Sequence, residues 1–247
     1  MNKIFLTSTL DLYDKIDGVR IPRAFPNING IVDKFKKYIK KYDNFLFVAS
    51  VEDNYDVTDM YANCTFKSFD YTLPFKNYYI LDGRSKSIAK KLISEADFIF
   101  LCGGHVPTQN KFFNNINLRD LIRNTDAVIC GGSAGSMNSA DVVYCPPELE
   151  GEANDENFIR YLKGLNLTKI NIFPHYSDTK DLYVDDKQNL KDILIPDSNN
   201  HKIVTLNDGA YIFIDDDKTY IYGESNLIYK GRIEQLCTDG KMVEYCL

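Results

Sequence analysis

The sequence lacks any long hydrophobic run. No stretch of its 247 residues approaches the roughly 18–20 consecutive apolar residues that a membrane-spanning helix requires. The first ten residues, MNKIFLTSTL, also contain no extended apolar segment of the kind found in secretory signal peptides. We therefore expect a protein that does not insert into a membrane and that resides in the cytoplasm.

The sequence also has no excess of positive charge. Its 29 lysines and arginines are outnumbered by 35 aspartates and glutamates, which gives a formal net charge of -6. A nucleic-acid-binding protein normally presents a basic surface, so this balance argues against such a function. The one lysine-rich stretch, KFKKYIKK at 34–41, has apolar residues at helical spacing and predicts the solvated side of an amphipathic helix.

Cysteine and histidine are scarce and scattered. The six cysteines include no CxxC pair, and Cys102 and Cys130 lie in apolar runs, where a reduced thiol packs as a small hydrophobic group. This pattern favours a reducing compartment over a disulfide framework. The three histidines, at positions 105, 175 and 201, form no HxxxH pair. We therefore expect no metal site and no cofactor.

Short apolar runs alternate with amphipathic patterns over the first half of the chain. The runs at 3–8, 44–50, 77–81, 97–104 and 126–132 predict strands, and the segments 30–42, 51–69, 84–96 and 118–125 predict helices. This order predicts an α/β fold, a mostly parallel sheet with helices on both faces. Since no repeat or low-complexity linker interrupts the chain, we expect a single domain over 1–247.

The pattern changes after about residue 200. Short strand-like runs follow one another there, separated by NDG at 207–209, DDDK at 215–218 and GESN at 223–226. These sequences are typical of hairpin turns. They predict antiparallel C-terminal strands that are added to the main sheet or packed at its edge.

The most informative stretch is DAVICGGSAGSMNSA at 126–140, where an apolar run ends in two glycines. The pattern G-x-S-x-G around Ser133 makes a sharp strand-to-helix turn that exposes the serine hydroxyl. The carboxyl ends of strands are where α/β sheets bind ligands. The amide of Ala134 would begin the following helix, where it can bind an oxyanion. The alternative is a serine that only caps this helix.

A serine nucleophile needs a base, and His175 is the better candidate. It follows the apolar run Ile170–Phe173, so it also belongs at a strand end. His105 follows a second glycine pair, Gly103-Gly104, and can equally be a substrate contact.

The base should be oriented by a carboxylate. The loop CPPELEGEANDE at 145–156 offers Glu148, Glu150, Glu152, Asp155 and Glu156, and its two prolines would stiffen it. The chemistry of these residues alone does not single out one of them.

Taken in order, FLCGGH, CGGSAGSMNSA, the acidic loop and PHY resemble the S51 serine peptidases, the family of dipeptidase E and cyanophycinase. The fold of that family is similar to that of class I glutamine amidotransferases, in which a cysteine occupies the serine's position. The resemblance implies a peptidase that cleaves small peptides through an acyl-enzyme, with dipeptides carrying N-terminal Asp or Glu as candidate substrates. It also gives a homodimer as the expected assembly.

The resemblance also implies roles for individual residues. Ser133 would be the nucleophile, His175 the general base and acid, and Glu148 the third member of the triad, with Glu150 as the alternative. Gly104 would supply the second oxyanion amide beside that of Ala134.

One departure concerns the residue after the glycine pair. Dipeptidase E usually has Asn after its glycine pair, whereas this chain has His105 after Gly103-Gly104. This difference puts specificity for aspartyl dipeptides in doubt.

Three other functions remain open at this stage. An esterase or amidase can use the same serine turn, although α/β-hydrolases place their histidine late in the chain. A non-catalytic module can bind a small ligand on the same fold, although Ser133 and His175 are both intact. A glutamine amidotransferase would need a cysteine at 133, and Cys130 is three residues too early.

Overall fold

The structure, a computed structural model, describes residues 3–246. Its strands are β1 (Lys3–Thr7), β2 (Tyr13–Ile16), β3 (Val19–Pro22), β4 (Asn44–Val48), β5 (Asn77–Leu81), β6 (Phe98–Leu101), β7 (Val128–Gly132), β8 (Val142–Tyr144), β9 (Tyr161–Lys163), β10 (Asn171–Phe173), β11 (Tyr183–Val184), β12 (Lys187–Gln188), β13 (Ile203–Leu206), β14 (Tyr211–Asp215), β15 (Lys218–Tyr222), β16 (Ser225–Tyr229), β17 (Arg232–Cys237) and β18 (Met242–Glu244). Its α-helices are α1 (Ile31–Tyr38), α2 (Tyr55–Thr72), α3 (Ala89–Glu95), α4 (Val106–Asn115), α5 (Leu118–Ile122), α6 (Ala134–Asn138), α7 (Tyr176–Thr179) and α8 (Ile195–Asp197). Short 3₁₀ segments cover Ile28–Gly30 and Lys86–Ile88, and a π-helical segment covers Asn189–Leu194.

The main sheet has eight strands in the order β18-β15-β14-β1-β7-β6-β4-β5. From β1 to β5 all neighbouring strands are parallel, whereas β14, β15 and β18 join antiparallel on the other side of β1. The predicted α/β fold, with a mostly parallel sheet and antiparallel C-terminal strands, is therefore confirmed.

Helices pack on both faces of this sheet because successive strand residues point to opposite sides. Along β4, Phe45 and Phe47 join an aromatic cluster with α1 and α2, while Leu46 and Val48 pack on the other face with α3 and α5. On α1, Phe35 is buried whereas Lys36 and Lys37 are exposed, as the amphipathic pattern predicts. Across residues 3–246, no helix is both long and apolar enough to cross a bilayer.

The C-terminal strands do not form one continuous meander. β13 pairs in parallel with β10 in a second, four-stranded sheet of order β10-β13-β16-β17, while β14 belongs to the main sheet. Of the three predicted hairpin turns, only DDDK closes a hairpin, between β14 and β15. The sequences NDG and GESN instead carry the chain from one sheet to the other. A turn motif sets the local change of direction, but the partner of the next strand depends on long-range packing.

Several elements occupy segments for which the sequence analysis predicted none, and helix α4 and the β2–β3 hairpin are two examples. Helix α4 follows the second glycine pair, and its first turn contains Pro107, which is compatible with that position. Strands β2 and β3 form a hairpin within the segment 11–29, to which the sequence analysis assigned no helix or strand.

The ends of four strands converge at one place. β1 and β7 are parallel neighbours with Thr7 opposite Gly132, so Ser8 and Ser133 are the next residues along each strand. In the second sheet, β10 and β13 are parallel neighbours with Phe173 opposite Thr205. Their continuations carry His175 and Asp208 to the same region, as the contacts below establish.

Candidate active site

Ser133 lies at the sharp turn between β7 and α6. Its backbone has φ 50° and ψ -116°, a conformation that is uncommon for a residue with a side chain. Its side chain makes no capping hydrogen bond to α6. The helix-capping alternative therefore does not describe this serine.

The glycines around Ser133 permit a close approach of backbone segments. A Cβ atom on Gly135 would lie 2.1 Å from the carbonyl oxygen of Leu101, and one on Gly131 would lie 2.7 Å from the amide nitrogen of Ser136. Small residues are required here because α6 passes directly against the ends of β6 and β7.

We expect Gly135→Ala to destabilise the fold by about 3 kcal/mol or more, because its Cβ would collide with backbone that cannot move aside. The control is Gly151→Ala, where no atom lies within 4 Å and only the φ of +92° opposes a side chain. This control should cost about 1–2 kcal/mol. Urea unfolding measures both, and equal losses would contradict the packing argument.

His175 is held directly against Ser133. It follows β10 and Pro174, and adopts φ 53° at the start of α7. Its Nε2 lies 3.0 Å from Ser133 Oγ. The structure thus brings together the two side chains that the sequence selected as nucleophile and base.

The other ring nitrogen of His175 faces Asp208, and this corrects the prediction for the third residue. His175 Nδ1 lies 2.6 Å from Asp208 Oδ1, in the position expected for Glu148. Desolvation acts to raise the pKa of Asp208, but the hydrogen bonds from His175 and Ser8 hold it below its usual value. An ionised carboxylate therefore faces the imidazole.

Ser8 ties this arrangement to the main sheet. Its side chain is fully buried, and its hydroxyl donates to Asp208 Oδ1 at 2.6 Å and accepts from the amide of His175 at 2.8 Å. A residue at the end of β1 thus fixes both the acid and the backbone of the base.

Sequence reasoning missed Ser8 and Asp208, although a usable signal was present. Ser8 is the last residue of the predicted strand 3–8, and Asp208 lies two residues beyond the apolar run KIVTL at 202–206, much as Ser133 and His175 lie at the ends of theirs. Applying the strand-end rule to every polar residue would have included them.

Glu148 lies near the site, but it is not the partner of His175 Nδ1, which is Asp208. It lines the same cavity as Ser133 and His175, and its carboxylate accepts a hydrogen bond from the backbone of Val106. Glu148 is an exposed residue, yet desolvation by the surrounding protein, with the nearby charge of Glu152, raises its pKa to about 7. Glu150, the alternative, is an exposed residue of the same loop.

Because the pKa of Glu148 is raised in the folded protein, the free energy of unfolding should depend on pH through this residue. The unfolded chain ionises this group near its ordinary pKa, whereas the folded protein does so near 7, so ionisation opposes folding as pH rises through this window. We expect Glu148→Gln to raise Tm relative to the wild type above about pH 7 and to change it little below about pH 4.5. Scanning calorimetry with Glu150→Gln as control tests this. A Tm difference independent of pH would contradict it.

Two cavities meet at Ser133. The first, called here the acidic cavity, has a volume of about 350 Å³ and is lined by residues that include Glu148, Met137 and Phe173. The second, called the apolar cavity, has a volume of about 430 Å³ and is lined mainly by apolar and aromatic side chains, among them Leu10, Leu12, Tyr13, Phe47 and Phe100. Ser133, His175 and Gly104 line both cavities, so the serine lies where a single extended ligand would cross between them.

The predicted oxyanion residues flank the serine. Ala134 is the first residue of α6, where amides have no acceptor within the helix. Gly104 lines both cavities, and Gly103 approaches so closely that its Cβ would lie 3.2 Å from that of Ser133. A Cβ on Gly104 would lie 2.5 Å from the Cβ of Ser50, so only glycine fits there.

His105 lines the apolar cavity, but its ring faces other protein groups. Nδ1 lies 2.8 Å from Thr108 Oγ1, and Nε2 lies 2.8 Å from Glu152 Oε1, although the latter pair is not aligned for a hydrogen bond. The ring nitrogens of His105 thus face Thr108 and Glu152, whereas His175 faces Ser133. His105 is therefore not the general base.

Cys130 does not replace the serine as a nucleophile. It lies fully buried within β7, and burial raises the pKa of its thiol. The glutamine amidotransferase alternative therefore lacks its reactive group at this turn.

Comparison with protein-family profiles matches residues 24–222 to peptidase family S51. The chain belongs to this family. The match includes Ser133, His175 and Asp208 but not Ser8, and the resemblance predicted from the motifs is confirmed. Membership of S51 makes the protein a peptidase.

Solved structures agree with the S51 fold. A peptidase from an acI-B1 Actinobacterium is similar with a TM-score of 0.68 and 13% identity, over 99% of this chain and 97% of that one. A candidate peptidase E from Listeria monocytogenes EGD-e is similar with a TM-score of 0.59 and 16% identity, over 96% and 100%. Comparison with curated protein sequences found no match.

Proposed function

We propose that this S51 member is a serine peptidase that hydrolyses small peptides through an acyl-enzyme. Ser133 is the nucleophile, His175 is the general base and acid, and Asp208 orients the imidazole. The observation that carries this proposal is the continuous set of contacts from Ser133 Oγ to His175 Nε2 at 3.0 Å and from His175 Nδ1 to Asp208 Oδ1 at 2.6 Å.

In this mechanism the Asp208 carboxylate favours the imidazole tautomer with its proton on Nδ1. Nε2 of His175 is then free to accept the Ser133 proton as Oγ attacks the peptide carbonyl. The negative charge on Asp208 also stabilises the imidazolium that forms. The buried hydroxyl of Ser8 keeps Asp208 in place during this change of charge.

The attack forms a tetrahedral intermediate with a negatively charged oxygen. We assign the amides of Ala134 and Gly104 to stabilise that oxygen, and each such donor contributes about 3–4 kcal/mol in related chemistry. His175 then protonates the leaving amine, the C–N bond breaks, and Ser133 remains acylated. Water, deprotonated by His175, attacks the ester and releases the carboxylic acid product.

The volumes and lining residues of the two cavities also limit the size and charge of the substrate. Their volumes accommodate a few residues rather than a folded protein. Among the described residues that line them, neither lysine nor arginine occurs, and Arg20 lies behind Tyr13 and Tyr61 of the apolar cavity, stacked on their rings. We therefore expect no preference for N-terminal Asp or Glu.

The test is incubation of the purified protein with a dipeptide library that includes N-terminal Asp and Glu members, with free amino acids followed by mass spectrometry. Cleavage of dipeptides with uncharged first residues is the expected result. Selective cleavage of the acidic members would overturn the specificity proposal. Hydrolysis of esters without hydrolysis of any peptide bond would favour the esterase alternative. Inertness towards both, with the protein folded, would favour a binding module.

A further inference from the structure

The wall of the apolar cavity is built from the main sheet, from α2 and from the segment that follows β1. Phe47 and Phe100 contribute their rings from the neighbouring strands β4 and β6, and Val57 and Tyr61 contribute from α2. Among the described residues that line this cavity there is no Asp, Glu, Lys or Arg. Such a wall favours apolar ligand groups, because they leave water when they bind there.

Three of the polar side chains in this wall already have partners within the protein. Ser8 donates to Asp208 Oδ1 at 2.6 Å, and Thr65 Oγ1 donates to the carbonyl oxygen of Tyr61 at 2.9 Å. The hydroxyl of Tyr61 accepts from Arg20 Nη2 at 2.6 Å. A charged ligand group that entered the cavity would therefore lose its hydration and gain little in return from these side chains.

Arg20 holds two rings of this wall in place. Its guanidinium carbon lies 5.2 Å from the centroid of the Tyr13 ring and 4.4 Å from that of the Tyr61 ring. Arg20 belongs to β3 and Tyr61 to α2, so this stack ties the β2–β3 hairpin to the helix. The cation thus packs on the tyrosine rings and does not itself line the cavity.

The cavity is large enough for an aromatic side chain and begins at the reacting atoms. An engineered cavity of about 150 Å³ is enough to hold benzene. The apolar cavity has a volume of about 430 Å³. Because Ser133, Gly103 and Gly104 also line it, a side chain beside the peptide bond that Ser133 attacks reaches into it.

We propose that the apolar cavity binds a large apolar side chain, such as that of phenylalanine or leucine, from one of the two residues that flank the cleaved bond. This inference rests on the proposed function, because it names the class of peptide that the same site accepts. The enzyme then selects peptides by an apolar side chain and not by a charged one.

Binding to Ser133→Ala, which leaves the peptide intact, separates this inference from the proposed function. We would titrate phenylalanyl-alanine, alanyl-phenylalanine, alanyl-alanine and aspartyl-alanine into that variant by calorimetry. At least one of the two phenylalanine dipeptides should bind about 10- to 100-fold more tightly than alanyl-alanine, which is the gain from burying the additional ring. That dipeptide should also bind with the more negative heat-capacity change. Aspartyl-alanine should bind no more tightly than alanyl-alanine.

Two substitutions at Val57 test whether this preference arises in the apolar cavity. Val57→Trp would fill part of the cavity, and Val57→Asp would place a charge in its wall. The matched controls are Met60→Trp and Met60→Asp, because Met60 is also an exposed residue of α2 but does not line the cavity. In the Ser133→Ala background, we expect at least one Val57 variant to lower the ratio of phenylalanine to alanine dipeptide affinity by fivefold or more. Both Met60 variants should keep this ratio.

Four results would overturn the inference. These are equal binding of the phenylalanine and alanine dipeptides, a preference that survives both Val57 variants, tightest binding of aspartyl-alanine, or no binding of any dipeptide to a folded protein. Tightest binding of aspartyl-alanine would show that Arg20 leaves the tyrosine rings to bind a carboxylate.

Hydrolysis of the same dipeptides by the wild type is measured separately and reports on the proposed function. If the phenylalanine preference is present and depends on Val57 while the wild type hydrolyses nothing, the binding role stands and the proposed catalysis fails. If the wild type hydrolyses all four dipeptides and Ser133→Ala binds them equally, the catalysis stands and the inference fails.

Discussion

Ser133→Ala is expected to lower kcat for dipeptide hydrolysis by a factor on the order of 10⁶, the scale of loss when a serine peptidase loses its nucleophile. The reason is that the only path to an acyl-enzyme in the proposed mechanism begins at Ser133 Oγ, which lies 3.0 Å from the base. The measurement is the release of free amino acids under saturating substrate. Binding of substrate should survive, since the alanine leaves both cavities intact.

A matched control for this variant is Ser94→Ala. Ser94 is an exposed residue of α3, and its hydroxyl donates only to the carbonyl of Lys91. Activity within about twofold of the wild type is expected for it. Residual activity of Ser133→Ala within tenfold of the wild type would show that another group attacks the substrate.

Asp208→Asn is expected to lower kcat by about 10⁴-fold while leaving the fold intact. An asparagine amide can present an N–H to His175 Nδ1 and so favour the tautomer with its proton on Nε2, which cannot accept the Ser133 proton. The carboxylate also faces Nδ1 at 2.6 Å, so its removal destabilises the imidazolium. Steady-state kinetics on the best dipeptide from the library would measure the loss.

Asp217→Asn is the matched control, because Asp217 is an exposed aspartate just beyond the opposite end of β14. It should retain wild-type kcat.

The comparison with Glu148→Gln decides which carboxylate orients the base. If Glu148→Gln lost about 10⁴ in kcat on a saturating substrate while Asp208→Asn did not, the sequence-based assignment would be restored and the structural one would be wrong.

The sequence was sufficient to find Ser133 and His175 because local signals mark both. The glycines around Ser133 require a sharp turn, and the chain has only three histidines, of which His175 follows an apolar run. The parallel part of the sheet was predictable for the same reason, since each strand and helix carries its own apolar periodicity.

The third residue was not predictable in this way, because its place depends on how two sheets meet. Asp208 lies in NDG, a sequence typical of a hairpin turn, but this segment instead crosses from β13 in the second sheet to β14 in the main sheet. Only the parallel pairing of β13 with β10 brings Asp208 to His175. Glu148 was the residue that the family resemblance implied, and its distance from Nδ1 could not be read from the sequence.

The most direct test of the central account is covalent labelling with a fluorophosphonate, which reacts with a serine only where a base and an oxyanion site activate it. Intact-mass and peptide mass spectrometry would identify the labelled residue. We predict stoichiometric labelling at Ser133 that is lost in His175→Ala and slowed strongly in Asp208→Asn. A folded wild-type protein that remains unlabelled, or that is labelled at Ser133 equally fast without His175 or Asp208, would contradict the account.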